Sequence, residues 1–273
     1  AATQRGILVV NSPGGNTIAA AEHALALLLG LSRHLAQAHA STISGGWDRK
    51  KYVGNELYKK VLGVVGLGKI GSHVAKVAIA MGMEVIAFDP FISVDRAQQM
   101  QVKLMPIGDL FGKADYVSLH LPRTPETENL VDATLLASMK PTARLVNCAR
   151  GGIIDESALA DAINQGVIAG AGIDVYATEP LPKDSPLLSV KEHLILTPHL
   201  GASTAEAQEN VAIDVAEQIR DVLLGLPARS AVNIPGLSAD LIERLKPHLQ
   251  LGEILGLLAS QLSGGQVDEL EIR

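Results

Sequence analysis

A single cysteine, Cys148, stands in 273 residues. One thiol closes no internal disulfide and assembles no cysteine zinc site, which suits a reducing compartment, the cytoplasm or an organelle stroma reached through a transit peptide. Aromatic residues reach only 3%, so the interior has to be built from Ala, Val, Ile and Leu, the composition of parallel sheets covered on both faces. There is no basic run and the formal net charge is -6, which leaves no electrostatic footprint for a phosphate backbone. No nucleic-acid partner is expected. The longest strongly apolar stretch, ALALLLGL from Ala24, is far shorter than the roughly 20 residues that span a bilayer, and no charged-then-apolar leader opens the sequence. The chain reads as soluble, with no membrane partner. HExxH and clustered acidic loops are also missing, so no metal is expected.

What is present is an alternation. Hydrophobic residues make up 47% and mean hydropathy is +0.23, enough for a large buried core. From Val61 the chain reads as a strand, VLGVVG, then a glycine turn, then a helix with Ile70, Val74, Val77, Ala78 and Met81 on one face, closed by Gly82. EVIAFD is a second strand stopped by Pro90, and KLMPI, YVSLHL, ARLVNCA, IAGAGIDV and HLILTPH follow as short β-type runs, with DESALADAINQG a helix between two of them. Strand and helix alternate, which predicts an α/β, Rossmann-type doubly wound parallel sheet with helices on both faces.

Two long helices are expected to bracket this unit. One covers residues 18–34, and the other, 203–225, turns Val211, Val215, Ile219, Val222 and Leu223 toward a core. A third, 239–262, holds Pro247, and GGQVDELEIR then reads as a strand running off the end. The expected domains are an N-terminal segment 1–15, a nucleotide domain 16–205, a return helix and strand 206–236, and the start of a C-terminal domain from 237 to 273.

With 26 glycines, a GxGxxG pattern by itself is weak, so its setting has to decide. VVGLGKIG follows a strand, opens a helix, and is followed at Asp89 by an acid closing the next strand. Gly66 permits the tight turn, Gly68 lets a pyrophosphate approach the backbone, and Gly71 lets helix and strand pack closely. The helix start offers unpaired N–H groups to phosphate. A carboxylate at Asp89 accepts from ribose hydroxyls and repels a 2′-phosphate, and Pro90, Phe91 and Ile92 offer no arginine to receive one. The expected cofactor is NAD rather than NADP.

Three further residues stand at strand ends: Arg150 after LVNCA, Glu179 in DVYATEP and His199 in LTPHLGAST. Ligands of open parallel sheets bind outside the carboxyl ends of the strands. An arginine fork binds a carboxylate bidentately, a histidine moves a proton during hydride transfer, and a glutamate orients the ring. Taken singly, each is more often a surface or capping residue. The other seven histidines, His23 and His120 among them, have the ordinary reading of surface or satisfied groups, although His120 also ends a strand near the crevice. Cys148 reads as a small core residue rather than a nucleophile.

Together, GVVGLGKIG, FDP, NCARGGIIDE, GAGIDVYATEP and TPHLGASTAEAQ resemble the D-isomer-specific 2-hydroxyacid dehydrogenases over nearly the whole chain. The resemblance implies that Arg150, Glu179 and His199 are catalytic. It places cofactor contacts on Lys69, Ile70, Asp89, Leu121, Cys148, Ala149, Arg150, Asp174, His199, Leu200, Gly201 and Ala202. Lys69 departs from the usual arginine. NSPGGNTIAAAEHALALLLGLSRH is similar to the family's dimer-contact helix, so a homodimer or homotetramer is implied, and the tail after IPGL is similar to the start of the extra regulatory region of long-form members. That tail implies 3-phospho-D-glycerate as substrate. The family's earlier substrate-domain units would precede residue 1, so a fragment is expected. A glyoxylate or hydroxypyruvate reductase and a non-catalytic NAD-binding module of the corepressor kind stay open as alternatives.

Overall fold

The computed structural model describes residues 1–233 and 239–263. In chain order the elements are α1 (Thr17–Ser32), α2 (Leu35–Ile43), β1 (Val61–Val65), α3 (Lys69–Ala80), β2 (Glu84–Phe88), α4 (Val94–Gln99) and β3 (Lys103–Leu104). They continue with α5 (Ile107–Lys113), β4 (Tyr116–Leu119), α6 (Ala133–Ala137), β5 (Arg144–Asn147), α7 (Glu156–Asn164), β6 (Gly170–Ile173), β7 (Leu194–Leu196), α8 (Ala205–Leu223) and α9 (Ala239–Leu262). The seven strands form one sheet in the order β3-β2-β1-β4-β5-β6-β7, and every pairing is parallel. The α/β expectation holds. Strand order reverses between β1 and β4, which opens a crevice at their carboxyl ends.

The sheet is covered on both faces because its strands are apolar on both. Leu62, Val64, Tyr116 and Val146 pack on one side with α1 and α3, while Val65, Val117, Leu119, Leu145 and Ile173 pack on the other with α5, α6 and α7. α3 forms where Gly68 caps a stretch whose Gly71, Val74, Ala75 and Ala78 are buried, and it stops before Gly82 at φ 80°. α7 starts because the Asp155 carboxylate accepts from the Ser157 and Ala158 N–H groups.

Two compact units emerge, Gly14–Asn210 and a second that joins Ala1–Pro13 to the chain from Val211 onward. In the second unit Val10 bridges Ala231 antiparallel, Asn233 accepts from the Val9 N–H at 2.8 Å, and Gln218 donates to Asn11 O at 3.0 Å.

Several expectations change. The helix over residues 18–34 ends at Ser32, because His34 adopts φ 53°, and α2 begins at once. Nor does α1 flank the nucleotide unit; ten of its residues are buried, many in the core beside α3. On α8, Val211, Val215 and Val222 are half-buried, but Ile219 and Leu223 are 50% and 81% exposed rather than core-facing. KLMPI pairs over only two residues, since Pro106 lacks an N–H and caps α5. α2, α4, α5 and α6 span 5 to 9 residues, too short for periodicity to announce. The strand expected in GGQVDELEIR lies outside the described residues.

Candidate active site

Each expected site residue follows the carboxyl end of its strand. The turn from Gly66 to Gly71 follows β1, Asp89 follows β2, Leu121 follows β4, and Cys148, Ala149 and Arg150 follow β5. Asp174 and Glu179 follow β6, and residues 199–202 follow β7. The topology therefore gathers residues far apart in sequence onto one end of the sheet.

The glycine turn fits a dinucleotide. Gly66 has φ 96°, and a Cβ there would meet His120 O at 2.6 Å; a Cβ on Gly71 would meet Gly66 O at 1.9 Å. Both positions exclude a side chain for reasons internal to the fold. Gly68 differs, because its missing Cβ points into open space where a ligand can approach. Asp89 folds back on the turn: Oδ2 accepts from Leu67 N–H at 2.7 Å and Oδ1 from Phe91 N–H at 2.8 Å. Each oxygen keeps lone-pair capacity for a ribose hydroxyl. Beneath the turn, His120 Nε2 sits 2.9 Å from Ser118 Oγ, and burial pushes its imidazole down to about 4, leaving it neutral at pH 7.

His199 Nδ1 lies 2.7 Å from Glu179 Oε2, and Glu179 Oε1 accepts from the Tyr176 N–H at 3.0 Å. Burial would raise the Glu179 carboxyl, but the His199 and Tyr176 hydrogen bonds outweigh it and hold the group below its usual range. With the side chains 50% and 36% exposed, the pair is open to a ligand. Arg150 is exposed too. Its Nη1 donates to Ala149 O at 2.6 Å, and among the described residues it makes no polar contact with the pair.

Asp174 organises the His199 loop. Fully buried, it accepts on Oδ1 from Thr197 Oγ1 (2.5 Å), Leu200 N–H (2.8 Å) and His23 Nε2 (3.1 Å), and on Oδ2 from Gly201 N–H (2.8 Å). Burial pushes its carboxyl up, yet these bonds prevail and lower it. His23 and Thr197 were invisible as site residues in the sequence, since an Ala/Leu-rich helix gives no sign that one of its histidines meets a loop 151 residues away. His23, Cys148 and Asp174 stand close enough to ligate an ion. Their donors are otherwise engaged: burial, then the Asp174 charge, pushes the Cys148 thiol up and keeps it protonated, and Asp174 already accepts four hydrogen bonds.

Residues 25–201 match the family described as D-isomer specific 2-hydroxyacid dehydrogenase, NAD binding domain. The chain belongs to this family. D-3-phosphoglycerate dehydrogenase of Synechocystis sp. is 61% identical over 272 residues, which is 100% of this chain and 49% of that protein. The Archaeoglobus fulgidus enzyme of the same name is 47% identical over all of this chain and 51% of its own. The chain thus spans about half the length of the curated relatives it matches. Among solved structures, a D-lactate dehydrogenase from Aquifex aeolicus complexed with NAD and lactic acid superposes with a TM-score of 0.77 at 27% identity, over 86% of this chain and 76% of that one. As a 2-hydroxyacid dehydrogenase domain the chain holds no helix, among its described residues, long and apolar enough to cross a membrane.

Proposed function

We propose that the chain is the cofactor-binding and acid–base part of an NAD-dependent D-3-phosphoglycerate dehydrogenase, which oxidises 3-phospho-D-glycerate to 3-phosphooxypyruvate, the opening reaction of serine biosynthesis. The observation that carries this reading is the 2.7 Å His199–Glu179 pair on the same sheet end as the glycine turn. NAD supplies the hydride acceptor when bound. The remaining work belongs to side chains. Since Nδ1 of His199 is committed to Glu179, Nε2 is the atom that takes the hydroxyl proton while the C2 hydrogen departs with its electron pair and the C2–O bond becomes a carbonyl. Glu179 stabilises the imidazolium that results. Arg150 anchors the substrate carboxylate through its planar fork.

On the cofactor side, Gly66, Gly68, Lys69, Ile70 and Gly71 receive the pyrophosphate and Asp89 the adenosine ribose, which favours NAD over NADP. Leu121, Cys148, Ala149, Leu200, Gly201 and Ala202 border the nicotinamide end, and Asp174 fixes the loop that carries three of them. A homodimer or higher homo-oligomer is supported by Leu35, Ile43, Trp47 and Val53, which are 58%, 74%, 81% and 74% exposed around α2, an apolar surface suited to a second copy.

The test is NADH formation by the full-length protein with NAD and 3-phospho-D-glycerate. Faster turnover with glyoxylate, hydroxypyruvate or lactate and the matching cofactor form would assign another family activity. No turnover with any of them would leave a cofactor-binding module.

A further inference from the structure

At the amino ends of the strands, opposite the cofactor crevice, lies a cavity of about 160 Å³ whose lining includes Asn55, Lys60, Asp115, Tyr116, Thr142 and Arg144. Arg144 opens β5 and is only 7% exposed. Its Nη1 donates to Thr142 O at 3.3 Å, and its guanidinium lies over the Tyr116 ring, 5.7 Å from the centroid. Among the described residues, no carboxylate comes within ion-pair distance of it. A buried guanidinium with most of its five donors uncommitted is costly unless something neutralises it.

The carboxylate of the cavity is already engaged. Asp115 accepts from Lys140 Nζ at 2.8 Å and from Val61 N–H at 2.9 Å. Beside it, Tyr116 is 1% exposed, and its hydroxyl is buried without a well-formed hydrogen bond, with Ser32 and Arg144 as its polar neighbours. Lys60 also lines the cavity, so the lining carries two cationic residues, Lys60 and Arg144, and one acid that Lys140 already pairs. The imidazole of His34 is pushed down by burial, then by the Arg144 charge and by His193, so the positive charge of Arg144 is felt beyond the cavity.

We propose that this cavity binds a small tetrahedral oxyanion, inorganic phosphate or the phosphate end of a small monoester, held by the Arg144 fork with Lys60 as the second charge. A planar fork beside an ammonium matches a dianion better than a single carboxylate. The site is distinct from the cofactor turn, since β5 runs its four residues, roughly 13 Å of extended chain, between Arg144 and the crevice end. It does not depend on the dehydrogenase reading.

The test is the melting temperature of the 273-residue chain titrated with sodium phosphate against sodium chloride at matched ionic strength. Phosphate is expected to give a saturable upward shift that chloride does not. Arg144→Met should abolish the shift, and Lys60→Met should raise the half-saturating phosphate concentration about tenfold or more, the loss of one charge-assisted contact. Lys69→Ala, at the cofactor turn, should keep the response. Should Arg144→Met fail to fold, Lys60→Met decides alone. Glycerol 3-phosphate as a parallel ligand separates the two sources: an equal shift lost in the same variants marks a monoester, and a shift with inorganic phosphate alone marks the free ion. The proposal is overturned by no shift beyond chloride, by an unchanged response in Lys60→Met, or by loss of the response in Lys69→Ala, which would put the anion at the glycine turn.

Discussion

His199 occupies a left-handed backbone position, φ 56°, while its Nδ1 stands 2.7 Å from Glu179 Oε2, so main chain and side chain are both fixed toward one orientation. Holding a non-glycine residue there costs on the order of 1–3 kcal/mol and persists only where the surroundings over-determine it. Asp174 provides that determination through the Leu200 and Gly201 N–H groups and the Thr197 hydroxyl.

In the full-length protein, His199→Ala is expected to lower turnover by about 10²- to 10⁴-fold. NAD affinity should hardly change, because the proposed role of the ring is toward the substrate hydroxyl. Steady-state kinetics together with NAD titration check both parts. Normal turnover in the variant would mean that another group takes the proton.

Asp89 leads to a cofactor prediction. NAD at about a thousand times its dissociation constant adds roughly 4 kcal/mol to stability, a clear thermal shift, while NADP should add far less. Asp89→Ser should narrow the gap by removing the charge that opposes the 2′-phosphate. Equal shifts from the two cofactors in the unaltered chain would sink the assignment.

The glycines of the turn separate folding from binding. Gly71→Ala puts a methyl group 1.9 Å from Gly66 O, and relieving such a clash costs about 1–3 kcal/mol of stability. Gly68→Ala meets open space, so the apo protein should unfold as before while NAD affinity drops. Urea unfolding with and without NAD distinguishes the two. Matching losses of stability would contradict the geometry.

His120 supplies a pH prediction. Its folded imidazole, pushed down to about 4 by burial, titrates below the ordinary 6.5, so between those values the unfolded chain binds more protons. The stability this contributes is fully present above pH 6.5 and is lost as pH falls toward 4, by up to about 3 kcal/mol. His120→Gln should flatten the stability profile over that window. An unchanged slope in denaturant titrations at pH 7 and pH 5 would show that the ring charges freely in the fold.

The sheet was legible in the sequence because its signals are local. A glycine turn between an apolar strand and an amphipathic helix, and an acid ending the next strand, each carry their reason within a few residues. The His199–Glu179 approach was readable only once both were placed at strand ends, since nothing between positions 179 and 199 encodes a distance. The sequence carries no signal for His23, because its role depends on α1 lying across β5, β6 and β7, a packing fact that periodicity does not contain. The bend at His34 is equally silent, as an Ala/Leu-rich run carries no stop signal when a histidine rather than a glycine takes the left-handed position.

The two outer strands of the sheet are its shortest, β3 with two residues and β7 with three, against four or five for those between them. A rim so brief exposes few open N–H and C=O groups, and a neighbouring chain finds little there to zip onto. Lateral growth into cross-β stacks is therefore starved at both margins while the chain stays folded. A contact between copies would fall instead to helix and loop surfaces, where side-chain shape discriminates among partners and backbone pairing does not.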